Sequence, residues 1–232
     1  YPVTMMLSCE GYLKKMTDRV LRKAATLKYK DGDEPFIEFP SSNTHDLLVF
    51  TDKCQVYKCK VSQFEDTKSA QLGSYLPTDL EMDPDESVTW VIDPGDYKAD
   101  ALFAFDNGRV ARVALSGYAT KTNRKRLKNA IYGGAKLLFA TVLTEDRDLA
   151  LVSSDQRLVN FNTSLLKTKT TNSTQGVVAF TAKKGRSVTM VGTVGEFLGG
   201  TADVEKFRAA SLPSSGASMK ETDMKSLFDF SD

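Results

Sequence analysis

The sequence holds one histidine, His45, one tryptophan, Trp90, and three cysteines, Cys9, Cys54 and Cys59. One histidine excludes metal sites that need two. An odd, unpaired set of cysteines excludes a closed disulfide framework and makes a reducing cytoplasm the expected setting. Cys54 and Cys59 stand five apart with no second pair, which argues against zinc; they are expected as small core or turn residues. No cofactor or metal is expected. No apolar run approaches the length of a membrane span, so no membrane partner is expected. The opening residues, YPVTMMLSCEGYLKK, show no n-region, h-region or cleavage site. Tyr1 in place of an initiator methionine fits a piece of a longer protein.

Catalytic constellations are missing as well. His45 is followed by Asp46, but neighbours on a strand point to opposite faces, so a hydrogen-bonding role at the start of a strand is expected rather than a catalytic base. No G-x-S-x-G nucleophile motif occurs. The glycine-bearing stretches Gly133 to Ala135 and Gly192 to Gly200 lack the spacing that cradles phosphates and read as turns. Trp90 alternates with apolar residues in VTWVI and is expected in the core rather than as a stacking platform. No catalytic site is expected in this chain.

What is present is a repeat. In ALFAFDNGRVARVALSGY, Ala101 to Tyr118, an apolar run meets Asp106-Asn107-Gly108 and is followed by a strand with a cationic side. Two β-prone runs joined by Asn-Gly predict a hairpin, and the first run is apolar enough to be buried on both faces. The form recurs at VTMMLSCEGYLKKM, LLVFTDKCQVYKCKVSQF and LALVSSDQRLVNFNTSLL, with Gly11, Cys54 and Gln156 in the place of Gly108. After each hairpin comes a polar, often basic connection and a second β-prone segment: PFIEF, SVTWVI, KLLFATVL and SVTMVGTV. Four such units predict an all-β radial repeat. They divide at about 1–43, 44–97, 98–145 and 146–197, with 198–232 as a C-terminal tail. Within the tail, Leu212 to Ser218 reads as a flexible linker. The last residues could form a short amphipathic helix through Met219, Met224, Leu227 and Phe228, or order only on docking.

The near-neutral total of +1 hides a strong asymmetry. The second unit has four Lys/Arg against eleven Asp/Glu, and the third has nine against three. In a ring each unit takes one sector of the rim, so the charge becomes directional. The candidate functional feature is basic: Arg109, Arg112, Lys121, Arg124, Lys125, Arg126 and Lys128 in the third unit. Equivalent places hold Lys14, Lys15, Arg19, Arg22 and Lys23 in the first unit, Lys58 and Lys60 in the second, and Lys167 and Lys169 in the fourth. Such cations could contact successive phosphates of duplex DNA, a sequence-independent mode of binding. An alternative is a propeller-like protein–protein scaffold that uses the acidic stretch Asp79 to Glu86 and the tail.

The stretches LSCEGYLKK, SNTHDLLVFTDKCQVYKCKVSQF, LFAFDNGRVARVALSGY and LALVSSDQRLVNFN with TTNSTQGVVAF together resemble the C-terminal domain of the A subunit of bacterial type IIA DNA topoisomerases, gyrase and topoisomerase IV. The resemblance spans about 1–197. It implies a β-pinwheel, a propeller-like ring whose blades exchange strands, which binds and bends duplex DNA beside the catalytic core. It implies as partners the ATPase B subunit, together with the rest of the A subunit, in the bacterial cytoplasm at the nucleoid. The gyrase subfamily's glycine-rich basic box would fall at Ala24 to Lys30, where this chain has AATLKYK without Gly-Gly. That departure leans toward a topoisomerase IV-like subunit, or a gyrase-like one without strong wrapping. Asn160, in the place of Lys15, Lys58 and Arg112, and Asn172 are expected to weaken the fourth blade's contact with DNA.

Overall fold

The computed structural model describes residues 1–121 and 124–226. Strands β1 (Pro2–Ser8), β2 (Tyr12–Met16) and β3 (Pro35–Ser42) come first, with a short helix α1 (Asp18–Lys23) after β2. Then follow β4 (Asp46–Thr51), β5 (Val56–Lys60), β6 (Ser74–Tyr75) and β7 (Val88–Ile92). Next are β8 (Asp100–Phe105), β9 (Arg109–Ala114), β10 (Arg126–Leu127) and β11 (Leu137–Leu143). Last come β12 (Asp148–Ser153), β13 (Arg157–Asn162), β14 (Val177–Val178), β15 (Val188–Gly192) and β16 (Ala217–Ser218). Among the described residues no helix is long and apolar enough to cross a membrane.

The strands form four antiparallel four-stranded sheets, ordered β3-β1-β2-β6, β10-β5-β4-β7, β11-β8-β9-β14 and β15-β12-β13-β16. The expected all-β class is therefore what the chain adopts. Each predicted hairpin is the centre of a sheet, and each predicted second segment (β3, β7, β11, β15) pairs with the first strand of its hairpin. The fourth strand is only two residues long and comes from farther along the chain. For the β4–β5 sheet it is β10, drawn from the basic connection beyond the next hairpin.

The hairpin turns differ in detail from the two-residue Asn-Gly turn expected. Gly108 has φ +84°, whereas Asn107 uses its side-chain oxygen to accept the Arg109 amide at 3.1 Å. The loop is thus three residues with the last in the left-handed region, a common hairpin closure. The turns at Gly11 (+95°) and Gln156 (+61°) do the same, while between β4 and β5 four residues intervene and the third, Cys54 (+58°), takes the positive φ. Cysteine and glutamine carry a modest steric cost there. At Gly108 glycine is required for a second reason, because a Cβ would lie 2.0 Å from the Phe180 carbonyl oxygen.

The same four turn residues anchor the exchanged segments. Their carbonyls accept amides from Leu76 (to Gly11, 3.0 Å), Ala130 (to Cys54, 2.9 Å), Ala179 (to Gly108, 2.9 Å) and Met219 (to Gln156, 2.9 Å). A two-residue strand has little pairing of its own, so this added bond fixes where each exchanged strand lies.

The chain divides into two compact units. The first comprises Tyr1–Ala99 and Tyr118–Gly133 and holds the first two sheets. Val3, Met5 and Leu7 of β1 alternate inward and meet Leu47, Val49 and Val91, as period-2 strands with one apolar face must. Tyr118 is buried in the same unit, its ring 5.8 Å edge-on from Phe50 and its hydroxyl donating to the Ala130 carbonyl at 2.6 Å. Burial pushes that phenol's pKa up. Trp90 is only half-buried and packs edge-on against Phe36 at 5.0 Å.

The second unit comprises Asp100–Gly117 and the chain from Gly134 onward, and it holds the other two sheets. Leu102 to Phe105 are fully buried, so β8 is covered on both faces as its composition suggested. The stretch Leu212 to Ser218 is not a loose linker. It delivers β16, and Met219 beyond it is buried with Phe207. Backbone bonds hold it: the Thr181 amide donates to the Ser214 carbonyl at 2.8 Å, and the Ser214 amide donates to the Ala179 carbonyl at 3.0 Å. The amphipathic helix expected at the end of the chain includes Leu227 and Phe228, which lie outside the described residues.

Candidate nucleic-acid interface

The sixteen basic residues singled out in the sequence fall into two classes. Lys14 and Lys15 on β2 are interior, not surface, groups, each 2% exposed or less. The Lys14 ammonium donates to the Gln71 carbonyl and lies 5.0 Å from the Tyr29 ring centre. Burial pulls its pKa down despite the opposing pull of Asp33. The Lys15 ammonium donates to the Phe64 carbonyl at 3.0 Å and to the Asn43 side chain, 3.5 Å from Asp66. Both lysines are interior because β2 is covered on both faces, a condition that a lone G-Y-L-K-K pattern does not reveal.

Lys58 and Arg112 are likewise engaged. Lys58 lies 3.9 Å from Asp46 and 4.9 Å from the Tyr97 ring centre, and Tyr97 donates to Asp46 at 2.6 Å. Arg112 donates to Asp100 at 2.7 Å, to Asp146 at 2.8 Å and to the Thr163 carbonyl at 3.1 Å. Its guanidinium holds the Asp146 carboxyl below the usual range. The recurrent cation on the second hairpin strand is thus the partner of a recurrent aspartate that opens the first: Asp46 and Asp100. In the fourth sheet Asp148 opens β12, Asn160 is buried, and Arg208 from the tail supplies the cation at 3.1 Å. Asn160 is therefore a rewired internal contact. Asn172 donates to the Gly117 carbonyl at 3.2 Å. The sequence does carry a signal for this pairing, an aspartate before the apolar run of the second, third and fourth hairpins.

The remaining cations are on the surface. Arg19, Arg22 and Lys23 lie on α1, which buries none of its residues. Arg109 is half-buried on β9. Lys167 and Lys169 are exposed on the connection beside β9, where the Lys169 amide donates to the Arg112 carbonyl at 2.8 Å. Lys128 is exposed beyond β10. Arg126 is different: it is half-buried and paired with Asp83 at 2.7 Å.

A dense grouping lies in the first unit. A depression of about 450 Å³ is lined by Lys58, Lys60, Lys121, Arg124 and Lys125, together with Asp46. The Lys125 carbonyl accepts the Lys58 amide at 2.8 Å, which lays the basic connection alongside β5. Lys60, Lys121, Arg124 and Lys125 are exposed and form no ion pair among the described residues. Thr122 and Asn123 of the same connection lie outside the described residues. His45, in the same unit, is hydrogen-bonded through Nδ1 to Asp93 at 2.7 Å, and Ser41 donates to the same carboxylate at 2.6 Å. That arrangement occupies the carboxylate rather than activating a nucleophile. Cys59 is buried, and burial pushes its thiol pKa up to about 12.

No protein-family model matches the sequence. The chain is 26% identical over 162 residues to the DNA gyrase A protein of Helicobacter pylori, covering 66% of this chain and 20% of that protein. It is 30% identical over 132 residues to the DNA topoisomerase 4 A protein of Staphylococcus epidermidis, covering 55% of this chain and 16% of that protein. The chain spans about a fifth of the length of the curated relatives it matches. Among solved structures, a C-terminal domain of DNA topoisomerase IV superposes with a TM-score of 0.74 at 19% identity, covering 97% of this chain and 75% of that one. A DNA gyrase A C-terminal domain gives 0.63 at 16% identity, covering 97% and 80%. The E. coli ParC C-terminal domain gives 0.62 at 17%, covering 82% and 78%. In sequence the chain is similar to the A subunits of DNA gyrase and topoisomerase IV, and its fold is the all-β pinwheel fold of their C-terminal domains.

Proposed function

We propose that this chain is a non-catalytic DNA-binding domain of a type IIA topoisomerase A subunit, which grips duplex DNA through its phosphates and bends it. The observation that carries this reading is the depression lined by Lys60, Lys121, Arg124 and Lys125, four exposed cations with no internal ion pair among the described residues. Asp46, the one acid in the lining, lies against Lys58, and cations that no acid pairs with are free to neutralise phosphates and release counterions. Their contacts are to backbone rather than base edges, so binding is sequence-independent. Arg19, Arg22, Lys23, Lys128, Lys167 and Lys169 extend the capacity from the surface, and Arg109 contributes from a half-buried position. In the full enzyme the bent segment would be presented beside the ATPase B subunit and the catalytic core of the A subunit, in the bacterial cytoplasm. The acidic stretch gives little support to a protein scaffold, because Glu86 is buried and Asp83 is paired with Arg126.

Bending is read by energy transfer between dyes at the two ends of a short duplex. Transfer should rise as the chain saturates the duplex. Binding without any rise would leave a DNA-binding domain but remove the bending role.

A further inference from the structure

Arg126, within the basic connection, lays a half-exposed side chain over the sheet and meets Asp83 of the acidic loop there. Its Nη2 lies 2.7 Å from Asp83, its Nε donates to the Gln55 side chain, and its guanidinium lies 5.5 Å from the Tyr57 ring centre. Gln55 in turn donates to Glu86 at 2.7 Å and to Asp83 at 3.2 Å. Glu86, 5% exposed, also accepts the Tyr57 hydroxyl at 2.6 Å, the Asp83 amide at 3.2 Å and the Thr51 hydroxyl. The acidic loop is itself tied to the β4–β5 turn. The Ser87 amide donates to the Asp52 side chain at 2.8 Å, the Asp52 amide donates to the Ser87 carbonyl at 3.0 Å, and Lys53 pairs with Asp85. A buried, fully bonded carboxylate of this kind is a rigid base, since each partner fixes another.

The strand that Arg126 belongs to has only two paired residues, Arg126 with Tyr57 and Leu127 with Val56. The exposed cations Arg124, Lys125 and Lys128 flank it. We infer that Asp83, backed by Gln55 and Glu86, is a positioning group that holds the basic connection in place, so that the acidic loop strengthens DNA binding instead of opposing it. This rests on the DNA-binding reading above. Its sign is opposite to what simple charge would give. Removing an acid near a phosphate site raises affinity by electrostatics alone, whereas removing a positioning acid lowers it.

The test uses the full chain with a duplex, comparing Asp83→Asn and Asp83→Glu with the unaltered protein. Asp83→Asn should weaken binding about twofold or more, the low end of couplings within one hydrogen-bond network, and make the salt dependence shallower. Asp83→Glu, which keeps the carboxylate, should restore most of the loss. Hydrogen exchange at the Lys58 amide, which donates to Lys125, should quicken in Asp83→Asn without DNA present. Equal or tighter binding by Asp83→Asn, or an unchanged Lys58 exchange rate, overturns the positioning role. If the unaltered chain shows no salt-dependent duplex binding, the DNA reading falls instead, and Lys58 exchange still decides whether Asp83 holds the connection.

Discussion

Replacing Lys60, Lys121, Arg124 and Lys125 together by Glu should lower duplex affinity by roughly three orders of magnitude at about 0.1 M salt, since each phosphate contact contributes about 0.9 to the slope of log K against log salt. The expected slope falls by about 3.6 if each cation neutralises one phosphate. All four are exposed and free of internal ion pairs among the described residues, so the thermal midpoint should hold. Fluorescence anisotropy of a labelled duplex measures both affinity and slope. A variant that keeps its affinity would show that the depression is not the DNA site. Arg126 is left out of the set because it is committed to Asp83, and a loss on reversing it would mix grip with positioning.

The second large effect is on stability and not on DNA. Lys15→Met and Arg112→Met should each lower the unfolding free energy by about 2 kcal/mol, the scale of hydrogen bonds to charged groups. Lys15→Met strands the Phe64 carbonyl and the Asn43 side chain. Arg112→Met removes the charged donor to Asp100, Asp146 and the Thr163 carbonyl, leaving Asp100 with the Thr168 hydroxyl and Thr163 with the Leu166 amide. Urea unfolding followed by circular dichroism reads the loss. DNA affinity, measured below the unfolding transition, should be unchanged. Weakened DNA binding with unaltered stability would return these two residues to the surface track that the sequence suggested.

That contrast shows what is legible in the sequence. The four hairpins, their shared turn position and the second segments can be read because alternation and turn chemistry are local. Gly11, Cys54, Gly108 and Gln156 all take positive φ. Only two of them are glycines, and the repeat context is what marks the other two. The exchanged strands β6, β10, β14 and β16 cannot be read, because two residues leave no periodic signal. Gly176 is their best trace: a Cβ there would meet the Val110 carbonyl oxygen at 2.1 Å, so the glycine of TQGVV marks an approach of backbone to backbone. Residue type finds the cations but does not sort them. Lys58 and Lys60 are two apart on one strand end, and only the tertiary placement of Asp46 and of Lys125 separates the engaged one from the exposed one. Glu86 looks like part of an acidic surface and is instead the hub of an internal network, because its partners Thr51, Gln55 and Tyr57 come from the β4–β5 hairpin.

The salt dependence of duplex binding by the unaltered chain bears most directly on the proposed grip. Four phosphate-contacting cations call for a slope of log K against log salt of at least about −3.6. A slope near zero, or the same affinity at low and high salt, would contradict it.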